Sequence, residues 1–428
     1  MFKVLVIAYY FPPMGLSGVQ RTLKFVKYLK QFNWQPVVIT SGNVGYYAHD
    51  VSLDSELKSL DIKVIRVSGK EPNALLAKYG TVEMPREWIR RTLSFISQCF
   101  FIPDNKISWA AKVYDKASEI LSEDQFDAIF VTAPPFSAFR MAARLKKKFN
   151  IPLFADYRDM WYDSYLSVYP TPLHRLLNKK YEYNALRAAE NVFVTNRRIK
   201  EWLLNTYKFL SFDDVVIIPH GYDPEDFENI QTEPKLNRKL RLVHSGIFYH
   251  HNTPKFFLKA FRELVNSHPA IAKSIELHFI GHLGKHNHRV IKKLKLEEYV
   301  FDHGYLPHSE AVRKICSADV LWMMLGRWKH AAVISPGKVY EYIGSGKPII
   351  GCVPEGAART VLEEYKASFI CEPDDINSIK EILVKVYKLY TEQKLPTPDE
   401  DALIKYRRDH LTEQLAKQLQ FHLKEKVI

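Results

Sequence analysis

Short apolar runs alternate with stretches of helical periodicity along most of the chain. In the stretch Val19–Lys30, the residues Val19, Leu23, Val26 and Leu29 fall on one helical face, because positions three and four apart are neighbours on a helix. The apolar runs are mostly continuous, as is typical of parallel strands that helices cover on both sides. The pattern therefore predicts an α/β protein with doubly wound, Rossmann-like sheets.

Two series of strands are predicted, one in each part of the chain. The first series is Lys3–Ala8, Gln35–Thr40, Ile62–Val67, Ala128–Thr132, Pro152–Ala155, Asn191–Thr195 and Val215–Ile218. The second series is Arg241–Ser245, Ile275–Ile280, Val300–His303, Val320–Leu325, Pro348–Val353 and Ser368–Cys371. Helices of the second series are predicted at Pro254–Val265, Ser309–Cys316, Lys338–Ile343, Ala357–Lys366 and Ile376–Tyr390.

The two series predict two domains, 1–235 and 236–400, with the polar segment Glu228–Lys239 at their junction. A length of 428 residues agrees with this division, because one domain usually has about 150 residues. The last stretch, Asp401–Lys426, is helical in character and carries both charge signs. A solvated tail is one interpretation, and the other is a helix at 401–428 that packs back on the first domain.

The chain is basic, with a formal net charge of +13. Such a charge favours phosphorylated substrates, nucleic acid or an anionic membrane face as partners. No nucleic-acid partner is expected, because helix-turn-helix, zinc-finger and RNA-binding signatures are missing. The basic and aromatic stretches Arg86–Phe101 and Arg144–Phe149 predict peripheral contact with an anionic membrane. A core helix with a charged outer face is an equally good interpretation of the first stretch.

The cysteines and the N-terminus bear on the compartment. The four cysteines form no CxxC pair and lie among apolar neighbours, which predicts reduced, buried thiols. The chain starts with a strand instead of a signal-peptide pattern, and it lacks an apolar run of about 18 residues. We expect a cytoplasmic protein, peripheral on the inner face of the cytoplasmic membrane.

The first strand leads into the loop Tyr9–Gly18, which a helix follows. Gly15 and Gly18 allow the backbone to approach a ligand closely, and the N-terminus of the helix offers N–H donors to an anion. A plain strand-to-helix turn is the alternative, because the loop lacks a complete GxGxxG.

Another predicted strand delivers Asp156, Arg158, Asp159 and Trp161 at its carboxyl end, where open α/β sheets bind ligands. Carboxylates accept hydrogen bonds from hydroxyl groups, and an aromatic ring packs on a pyranose face, so the segment indicates sugar recognition. We predict Asp156, Arg158 and Asp159 as catalytic residues. The alternative is an internal ion pair between Arg158 and an aspartate that only shapes the loop.

The segment Val215–Phe227 presents His220 just after a predicted strand. Histidine titrates near neutral pH, so His220 is a candidate proton carrier. The alternative is a helix-entry turn that Asp223 caps.

The most informative segment is Ile334–Val353, in which a glycine-bearing loop precedes a short helix, a Gly-x-Gly turn and an apolar strand. Lys338 and Glu341 are three residues apart and share one helix face. Lys338 suits a phosphate, and Glu341 suits the hydroxyl groups of a ribose. A surface ion pair is the alternative.

Two further segments follow strand ends in the second domain. Gly246 and Lys255 follow the first strand of the second domain, as the Gly15–Gly18 turn follows the first strand of the first domain. Both residues are candidates to contact a diphosphate. The histidine-rich segment Gly281–His288 lacks the ligands that would complete a zinc site. We expect a solvated basic loop there and no metal site.

Together these motifs resemble the GT-B glycosyltransferases, specifically the family-4 retaining enzymes. The resemblance extends nearly from end to end and rests on YYFPPMGLSGVQR, ADYRDMW, IPHGYD and SPGKVYEYIGSGKPII. The last segment is the most specific, because it has Pro336, Lys338, Glu341, Gly346 and Pro348 in the family's order. The resemblance implies two Rossmann-like doubly wound α/β domains that face a central cleft.

The resemblance also implies a role for each motif. Glu341 would bind the ribose of a nucleotide-diphosphate sugar, and Lys338 with the backbone of Ser335–Gly337 would hold its diphosphate. Gly15 and Gly18 would complete the donor pocket, and the acceptor would approach the first domain.

The implied activity is hexosyl transfer to an acceptor hydroxyl with retention of configuration. The implied acceptor is a glycan or a lipid-linked glycan, in the synthesis of surface polysaccharide or lipopolysaccharide. Neither a metal nor another cofactor would be needed, because cationic side chains and helix dipoles neutralise the departing nucleotide.

Two departures from the family pattern concern the donor site. Val333 stands where the family often has the first of two glutamates, and only His250, His251 and Lys255 follow Gly246 as candidate cations. Donor identity therefore stays open. One alternative is a nucleotide-sugar epimerase on the same fold. The other is a non-catalytic nucleotide-sugar-binding protein, and the valine at position 333 favours this second alternative.

Overall fold

The computed structural model describes residues 1–75, 81, 87–164, 167–235, 237–248 and 252–424. Several residues named above lie outside these ranges. They are Arg86 at the start of the basic and aromatic stretch, the candidate cations His250 and His251, and the last residues of the predicted helix at 401–428.

The chain forms two compact units. Unit 1 contains Met1–His220 and the C-terminal segment from Arg408, and unit 2 contains Gly221–Arg407. The division at His220 precedes the predicted boundary at 235, because the connecting segment packs on unit 2. The N–H of Tyr222 donates to the carbonyl of Tyr406 at 3.0 Å, and Lys314 pairs with Glu233 at 2.9 Å.

Unit 1 is built on a parallel sheet of seven strands in the order β3-β2-β1-β4-β5-β6-β7. The strands are β1 (Phe2–Ile7), β2 (Trp34–Ser41), β3 (Lys63–Val67), β4 (Ala128–Ala133), β5 (Leu153–Tyr157), β6 (Asn191–Val194) and β7 (Val215–Ile217). The helices before the second unit are α1 (Ser17–Leu29), α2 (Val51–Ser59), α3 (Pro72–Leu75), α4 (Glu87–Phe100), α5 (Ile107–Glu123), α6 (Ser137–Phe149), α7 (Pro172–Ala188) and α8 (Arg197–Thr206).

Unit 2 repeats this architecture with a parallel sheet of six strands in the order β10-β9-β8-β11-β12-β13. The strands are β8 (Leu240–Ser245), β9 (Ile275–Ile280), β10 (Val300–Asp302), β11 (Val320–Met324), β12 (Ile349–Cys352) and β13 (Ser368–Cys371). The helices are α9 (Lys255–Ser267), α10 (Pro269–Lys273), α11 (Lys285–Lys293), α12 (His308–Cys316), α13 (Gly337–Gly344), α14 (Ala357–Tyr365), α15 (Ile376–Thr391) and α16 (Glu400–Lys405).

The apolar pattern accounts for both sheets. Val4, Leu5, Val6 and Ile7 of β1 are all buried, because helices cover both faces of a parallel sheet. The four residues that predicted the first helix are buried as well. In each sheet the chain reverses its winding direction once, between β1 and β4 and between β8 and β11. Such switch points are where open α/β sheets bind ligands.

The C-terminal segment differs from the single predicted helix. It contains α16 and then α17 (Arg408–Lys424), and the helix is broken where Arg407 forms a β-bridge with Tyr222. Helix α17 packs against α1 in unit 1. Its residues Leu415 and Leu419, four apart and therefore on one face, are buried.

Two other predictions need correction. Part of the histidine-rich segment is helical, because α11 starts at Lys285 and buries Ile291 in the core of unit 2. Of the cysteines, Cys352 and Cys371 are buried with their Sγ atoms 3.8 Å apart, whereas Cys99 and Cys316 are only partly buried. Among the described residues, no helix combines the length and the apolar composition that a membrane span needs.

Substitution of Leu415 by Ala should lower the free energy of unfolding by about 2–5 kcal/mol, because the smaller side chain leaves a cavity against α1. Denaturant unfolding monitored by circular dichroism would measure the change. The matched control is Leu173→Ala, since the Leu173 side chain is exposed and should change stability by no more than about 0.5 kcal/mol. Equal effects of the two substitutions would contradict the packing of α17.

Candidate functional site

Helix α13, which carries Lys338 and Glu341, is anchored at the switch point of the unit 2 sheet. The hydroxyl group of Tyr342 accepts a hydrogen bond from the N–H of Ser245 at 2.7 Å. The same hydroxyl lies 3.3 Å from the carbonyl oxygens of Ser245 and Trp322. Ser245 ends β8 and Trp322 belongs to β11, so one buried tyrosine fixes α13 to both strands.

Lys338 bonds to a histidine at this switch point. The Nδ1 of His244 lies 3.1 Å from the carbonyl oxygen of Trp322, and its Nε2 lies 3.2 Å from Nζ of Lys338. A carbonyl only accepts hydrogen bonds, so Nδ1 carries the ring hydrogen and Nε2 accepts from Lys338. Burial and the charge of Lys338 hold the pKa of His244 well below its usual range, which agrees with a neutral ring.

The ammonium of Lys338 has the His244 ring as its hydrogen-bond partner, and the carboxylate of Glu341 acts on it through its charge. Burial lowers the pKa of Lys338 to about 8, although the charge of Glu341 acts in the opposite direction. An anion that approaches a desolvated cation stabilises its charged form, which a neutral imidazole partner does much less. The arrangement therefore suits a phosphate.

Gly246 gives Lys338 its position. A Cβ atom on Gly246 would lie 2.9 Å from Nζ of Lys338, and its φ of +127° is in the region that favours glycine. A Cβ on Gly281 would in turn lie 2.7 Å from the carbonyl oxygen of Gly246. The backbone and the ammonium thus approach each other as closely as glycine allows.

Glu341 has a partner that sequence reasoning missed. The Nε2 of His308 lies 3.3 Å from Oε1 of Glu341, and both side chains are largely buried. His308 is the first residue of α12, one position before the predicted start of that helix. Its sequence neighbourhood contains no motif, so only the fold relates it to Glu341.

The N-terminus of α13 is compatible with an anion. Pro336 occupies the N-cap position, and no side chain caps the helix, so the first N–H groups point toward the loop. Ser335 does not offer its hydroxyl there, because Oγ lies 2.7 Å from the hydroxyl of buried Tyr340. Ser335, Pro336 and Gly337 can therefore serve through their backbone.

Lys255 and Val333 are the remaining unit 2 residues that the sequence singled out. Lys255 starts α9 with an exposed side chain, and its ammonium is 5.7 Å from the ring centroid of Phe256. Val333 ends a short 3₁₀ turn before α13. Asn252 links the two strand ends of the switch point, since its side-chain oxygen accepts from the N–H of Gly326 at 2.9 Å.

In unit 1, Asp156 forms a buried ion pair that the sequence did not indicate. Its Oδ1 accepts from Arg21 at 2.8 Å, its Oδ2 accepts from Thr132 at 2.8 Å, and both charged side chains are 0% exposed. Arg21 also donates to the carbonyls of Ile218 and Pro219. These contacts join the ends of β5 and β7, and the catalytic role of Asp156 stays a prediction.

Arg158 bonds to backbone oxygens. Among the described residues, no ion pair joins it to an aspartate, which was the alternative interpretation of this segment. Arg158 donates to the carbonyls of Ala133, Pro134 and Gly18. Gly18 therefore contributes its backbone oxygen to the loop structure, and the N–H of Gly15 donates to the carbonyl of Ala48 at 2.9 Å. Arg158 joins the end of β4 to the start of α1.

The loop after β5 presents Asp159 and encloses Trp161. The Asp159 side chain is exposed, yet the surrounding protein raises its pKa through partial desolvation, against the lowering effect of Arg158. Trp161 is 1% exposed and stacks on Phe136 at 4.9 Å, so its ring is not available to a pyranose. The expectation that Trp161 packs on a sugar was wrong.

A buried carboxylate holds this loop in place. Glu182 accepts hydrogen bonds from the hydroxyl groups of Tyr157 and Tyr207 and lies 3.3 Å from the N–H of Tyr162. Burial raises the pKa of Glu182 to about 7, although the hydrogen bonds from the tyrosines act to lower it.

His220 is the last residue of the first segment of unit 1, and positively charged side chains surround it. Its pKa is held well below the usual range by burial and by the charges of Arg21, Arg408 and Arg158. The ring is therefore neutral near pH 7. From the sequence alone, His220 is instead expected to titrate in that range as a proton carrier. Asp223 caps a 3₁₀ turn by accepting from the N–H of Glu225 at 3.1 Å, as the alternative interpretation of this segment proposed.

Three charged residues at the same sheet edge were missed. Lys106 is buried near Glu71 and Asp104, and its desolvation lowers its pKa to about 8 while both carboxylates act to raise it. Tyr9 donates to Glu71 at 3.2 Å, and the N–H of Ser137 donates to Asp104 at 2.8 Å. Asp104 and Lys106 lie in the segment between α4 and α5, whereas Glu71 precedes α3, so no sequence spacing relates Glu71 to the other two.

Comparison with known families identifies the chain. A model described as glycosyltransferase family 4 matches residues 18–226, and one described as glycosyl transferases group 1 matches residues 239–388. The two models cover most of both units in the expected order. The chain belongs to the family-4-like glycosyltransferases of the GT-B fold.

Solved structures resemble this glycosyltransferase over nearly its whole length. Sucrose-phosphate synthase from Thermosynechococcus elongatus has 12% identity and a TM-score of 0.67, with 99% of this chain and 100% of that chain covered. HepE from Anabaena, in complex with UDP, has 14% identity and a TM-score of 0.62, with 98% and 100% covered. A putative UDP-N-acetylglucosamine 2-epimerase from Listeria monocytogenes has 13% identity and a TM-score of 0.60, with 99% and 97% covered.

At these identities the structural likeness shows the fold alone. No curated protein matches the sequence of the glycosyltransferase. Among the residues that the structure describes, no three His, Cys, Asp or Glu side chains are grouped to hold a metal ion. The family establishes a nucleotide-sugar-dependent transferase, and the site geometry bears on how it works.

Substitution of Arg21 by Leu should destabilise the glycosyltransferase by about 3–5 kcal/mol, because it leaves Asp156 buried and unpaired. Urea unfolding would measure this loss. Arg197→Leu is the matched control, since Arg197 pairs with Glu201 at 2.7 Å but is 83% exposed, and such surface pairs contribute less than about 1 kcal/mol. A loss for Arg21→Leu no larger than the control would contradict a buried ion pair.

Donor affinity should depend on pH through Lys338. Because the pKa of Lys338 is about 8, its ammonium is charged below that pH and loses its proton above it. The dissociation constant of a nucleotide-sugar should be constant at lower pH and should rise by up to about tenfold per pH unit above it. Calorimetric titrations across this range would measure the slope. Lys338→Met should bind weakly without the slope, and an unchanged slope in that variant would contradict the assignment.

Proposed function

We propose that unit 2 binds the diphosphate of the nucleotide-sugar donor between Lys338 and the N-terminus of α13. The observation that carries this proposal is the ammonium of Lys338, which lies at the switch point with the neutral ring of His244 as its partner. A diphosphate would bring negative charge directly against this ammonium. Backbone N–H groups of Gly337 and its neighbours would add hydrogen bonds to the same phosphates.

Glu341 would bind the ribose of the donor. It lies one turn after Lys338 on the same helix face, and His308 orients one of its oxygens. A carboxylate accepts hydrogen bonds from two neighbouring hydroxyl groups, each worth about 1.5–3 kcal/mol. Val333 in place of a family glutamate leaves the donor sugar with one fewer polar contact, so sugar choice would depend on other residues.

Unit 1 would bind the acceptor. Its sheet edge presents the exposed carboxylate of Asp159, which suits a hydroxyl-rich molecule. Asp159 is the candidate to contact a reacting hydroxyl, because desolvation raises its pKa and a less acidic carboxylate is a better proton acceptor. Arg158, Asp156 and Glu182 would position its loop.

The acceptor is a glycan or a lipid-linked glycan, in the synthesis of surface polysaccharide or lipopolysaccharide. The net charge of +13 supports work at an anionic membrane face. We also propose retention of configuration, as in the enzymes that the motifs resemble, and catalysis without a metal. Lys338 and the α13 dipole would stabilise the leaving diphosphate.

A direct test starts with nucleotide-sugars screened by thermal shift, followed by turnover with a membrane lipid extract as the acceptor source. Release of nucleoside diphosphate that requires acceptor and persists in EDTA is the expected result. NMR of the glycoside would show whether the anomeric configuration is kept. A requirement for added divalent metal would overturn metal independence, and an inverted product would overturn retention.

Epimerisation is the second candidate, because a putative UDP-N-acetylglucosamine 2-epimerase shares the fold at a similar TM-score. An epimerase needs no acceptor. Incubation of the donor alone therefore separates the two activities, and formation of an epimer without acceptor would favour this candidate. Tight donor binding with neither epimer nor nucleotide release would favour a non-catalytic binding protein.

Substitution of Glu341 by Gln should raise the donor dissociation constant by about tenfold to a hundredfold, corresponding to one charged hydrogen bond. Calorimetric titration with the donor from the screen would measure the change. Glu355→Gln is the matched control in the same unit, because the Glu355 side chain is 76% exposed. Equal affinity of the Glu341→Gln variant and the unmodified protein would overturn the proposed ribose contact.

A further inference from the structure

The loop that leads from β11 into α13 carries positive charge without a carboxylate of its own. Between Asp319 and Glu341 the chain has Arg327, Lys329 and Lys338 but no aspartate or glutamate. Lys338 belongs to α13. The other two cations lie in the loop itself, which spans residues 325–336 and is called the β11–α13 loop below.

The β11–α13 loop has a defined shape. Two successive turns form within it, because the N–H of Ala331 donates to the carbonyl of Trp328 at 3.2 Å and the N–H of Ile334 donates to the carbonyl of Ala331 at 3.1 Å. The loop after β12 packs closely on it, since a Cβ atom on Gly356 would overlap the Cα of Ala332. The side chains of the β11–α13 loop are therefore presented from a fixed backbone at the carboxyl ends of β11 and β12.

The proposed diphosphate contact determines the side on which the donor sugar lies. Glu341 would hold the ribose one turn after Lys338, and the sugar is bonded to the phosphate at the other end of the diphosphate. The sugar therefore extends past the N-terminus of α13, away from Glu341. The β11–α13 loop enters the helix on that side, so its side chains are placed to meet the sugar.

Of the two cations in the loop, Lys329 is available to a ligand. Arg327 already faces acidic side chains, since its guanidinium lies 2.6 Å from Glu372 and 3.4 Å from Asp374. Lys329 is exposed, and in the part of the chain that the structure describes no carboxylate pairs with it. His330 is the next residue and adds a ring N–H donor.

These surroundings offer little to the hydroxyl groups of a neutral sugar. The carboxylate of Glu355, in the loop after β12, pairs with Arg359 at 3.1 Å, and position 333 in the β11–α13 loop is a valine. A sugar that carries its own carboxylate fits better, because that group accepts hydrogen bonds from an ammonium and an imidazole. Hydrogen bonds between charged groups are about twice as strong as those between neutral groups.

We propose that the donor sugar is a uronic acid, whose carboxylate binds Lys329 and His330. The uronic acid assignment rests on the proposed diphosphate contact and adds the chemical class of the transferred sugar. Val333 contributes to this specificity, because a carboxylate at that position would repel the carboxylate of the sugar.

The diphosphate itself is the competing ligand for Lys329. Lys338 and the N-terminus of α13 already serve the phosphates in the proposed site, whereas Lys329 lies on the sugar side of it. The two roles lead to different affinities. A contact with phosphate strengthens the binding of every nucleotide-sugar, and a contact with the sugar carboxylate strengthens the binding of acidic ones alone.

Calorimetric titration with matched donors tests the proposal. UDP-glucuronate is compared with UDP-glucose, and GDP-mannuronate with GDP-mannose, since the members of each pair differ only in a carboxylate or a hydroxymethyl group. The acidic member of at least one pair should bind about tenfold more tightly, as one charged hydrogen bond allows. Lys329→Gln should remove this preference by weakening the acidic member alone, and Lys329→Arg should retain it.

Val333→Glu is a second variant that acts in the same direction without removing a cation. It should weaken binding of the acidic donor by about tenfold or more, because it places like charges side by side, and the neutral donor should keep its affinity. The matched control is Lys292→Gln, since Lys292 is an exposed lysine of α11, and it should bind both donors like the unmodified protein. Thermal melts check that all variants are folded.

Equal affinity within both pairs would overturn the uronic acid assignment. Equal losses of acidic and neutral donors in Lys329→Gln would also overturn it and would assign the lysine to the diphosphate. In both cases Lys338→Met still weakens binding, so the proposed diphosphate site stands. If Lys338→Met binds the donors like the unmodified protein while the acidic preference persists, the diphosphate site is wrong and the carboxylate contact stands. Absence of binding to all four donors overturns both.

Discussion

The switch point of unit 2 depends on a desolvated ammonium group whose hydrogen-bond partner is a neutral ring. Lys338 shares its hydrogen bond with the neutral ring of His244, which is itself fixed by the carbonyl of Trp322. Most buried ammonium groups face a carboxylate, because an isolated charge in the interior is unfavourable. Here Gly246 keeps the backbone close enough for an anion to reach both the ammonium and the helix N-terminus.

In unit 1, by contrast, the buried charged side chains are paired with each other or with backbone oxygens. Arg21 and Asp156 satisfy each other completely, and Arg158 bonds to three backbone oxygens. These contacts tie together loops that follow different strands, so the sheet edge keeps one shape. The two units share a topology but differ in electrostatics, which agrees with an anionic ligand for one unit and a hydroxyl-rich ligand for the other.

The sequence predicted the sheets well because continuous apolar runs are a local signal. It also marked Lys338 and Glu341, which lie three apart on one helix. It could not relate His244 or His308 to them, since each histidine reaches α13 only through the packing of distant strands and helices. The burial of Trp161 and the ion pair of Asp156 were missed for a related reason: both depend on residues that are far away in sequence, Phe136 and Arg21. The break at Arg407 was missed because it depends on a bridge to Tyr222.

The path of the chain has a consequence for biosynthesis. The first segment of unit 1 ends at His220, and the unit is completed only by the segment from Arg408, so the ribosome must translate all of unit 2 before α17 can cover α1. Until then the apolar side of α1 lacks its neighbour, whereas unit 2 is continuous and can fold as soon as it emerges. A helix translated after all of unit 2 therefore governs when the first part of the protein reaches its native state.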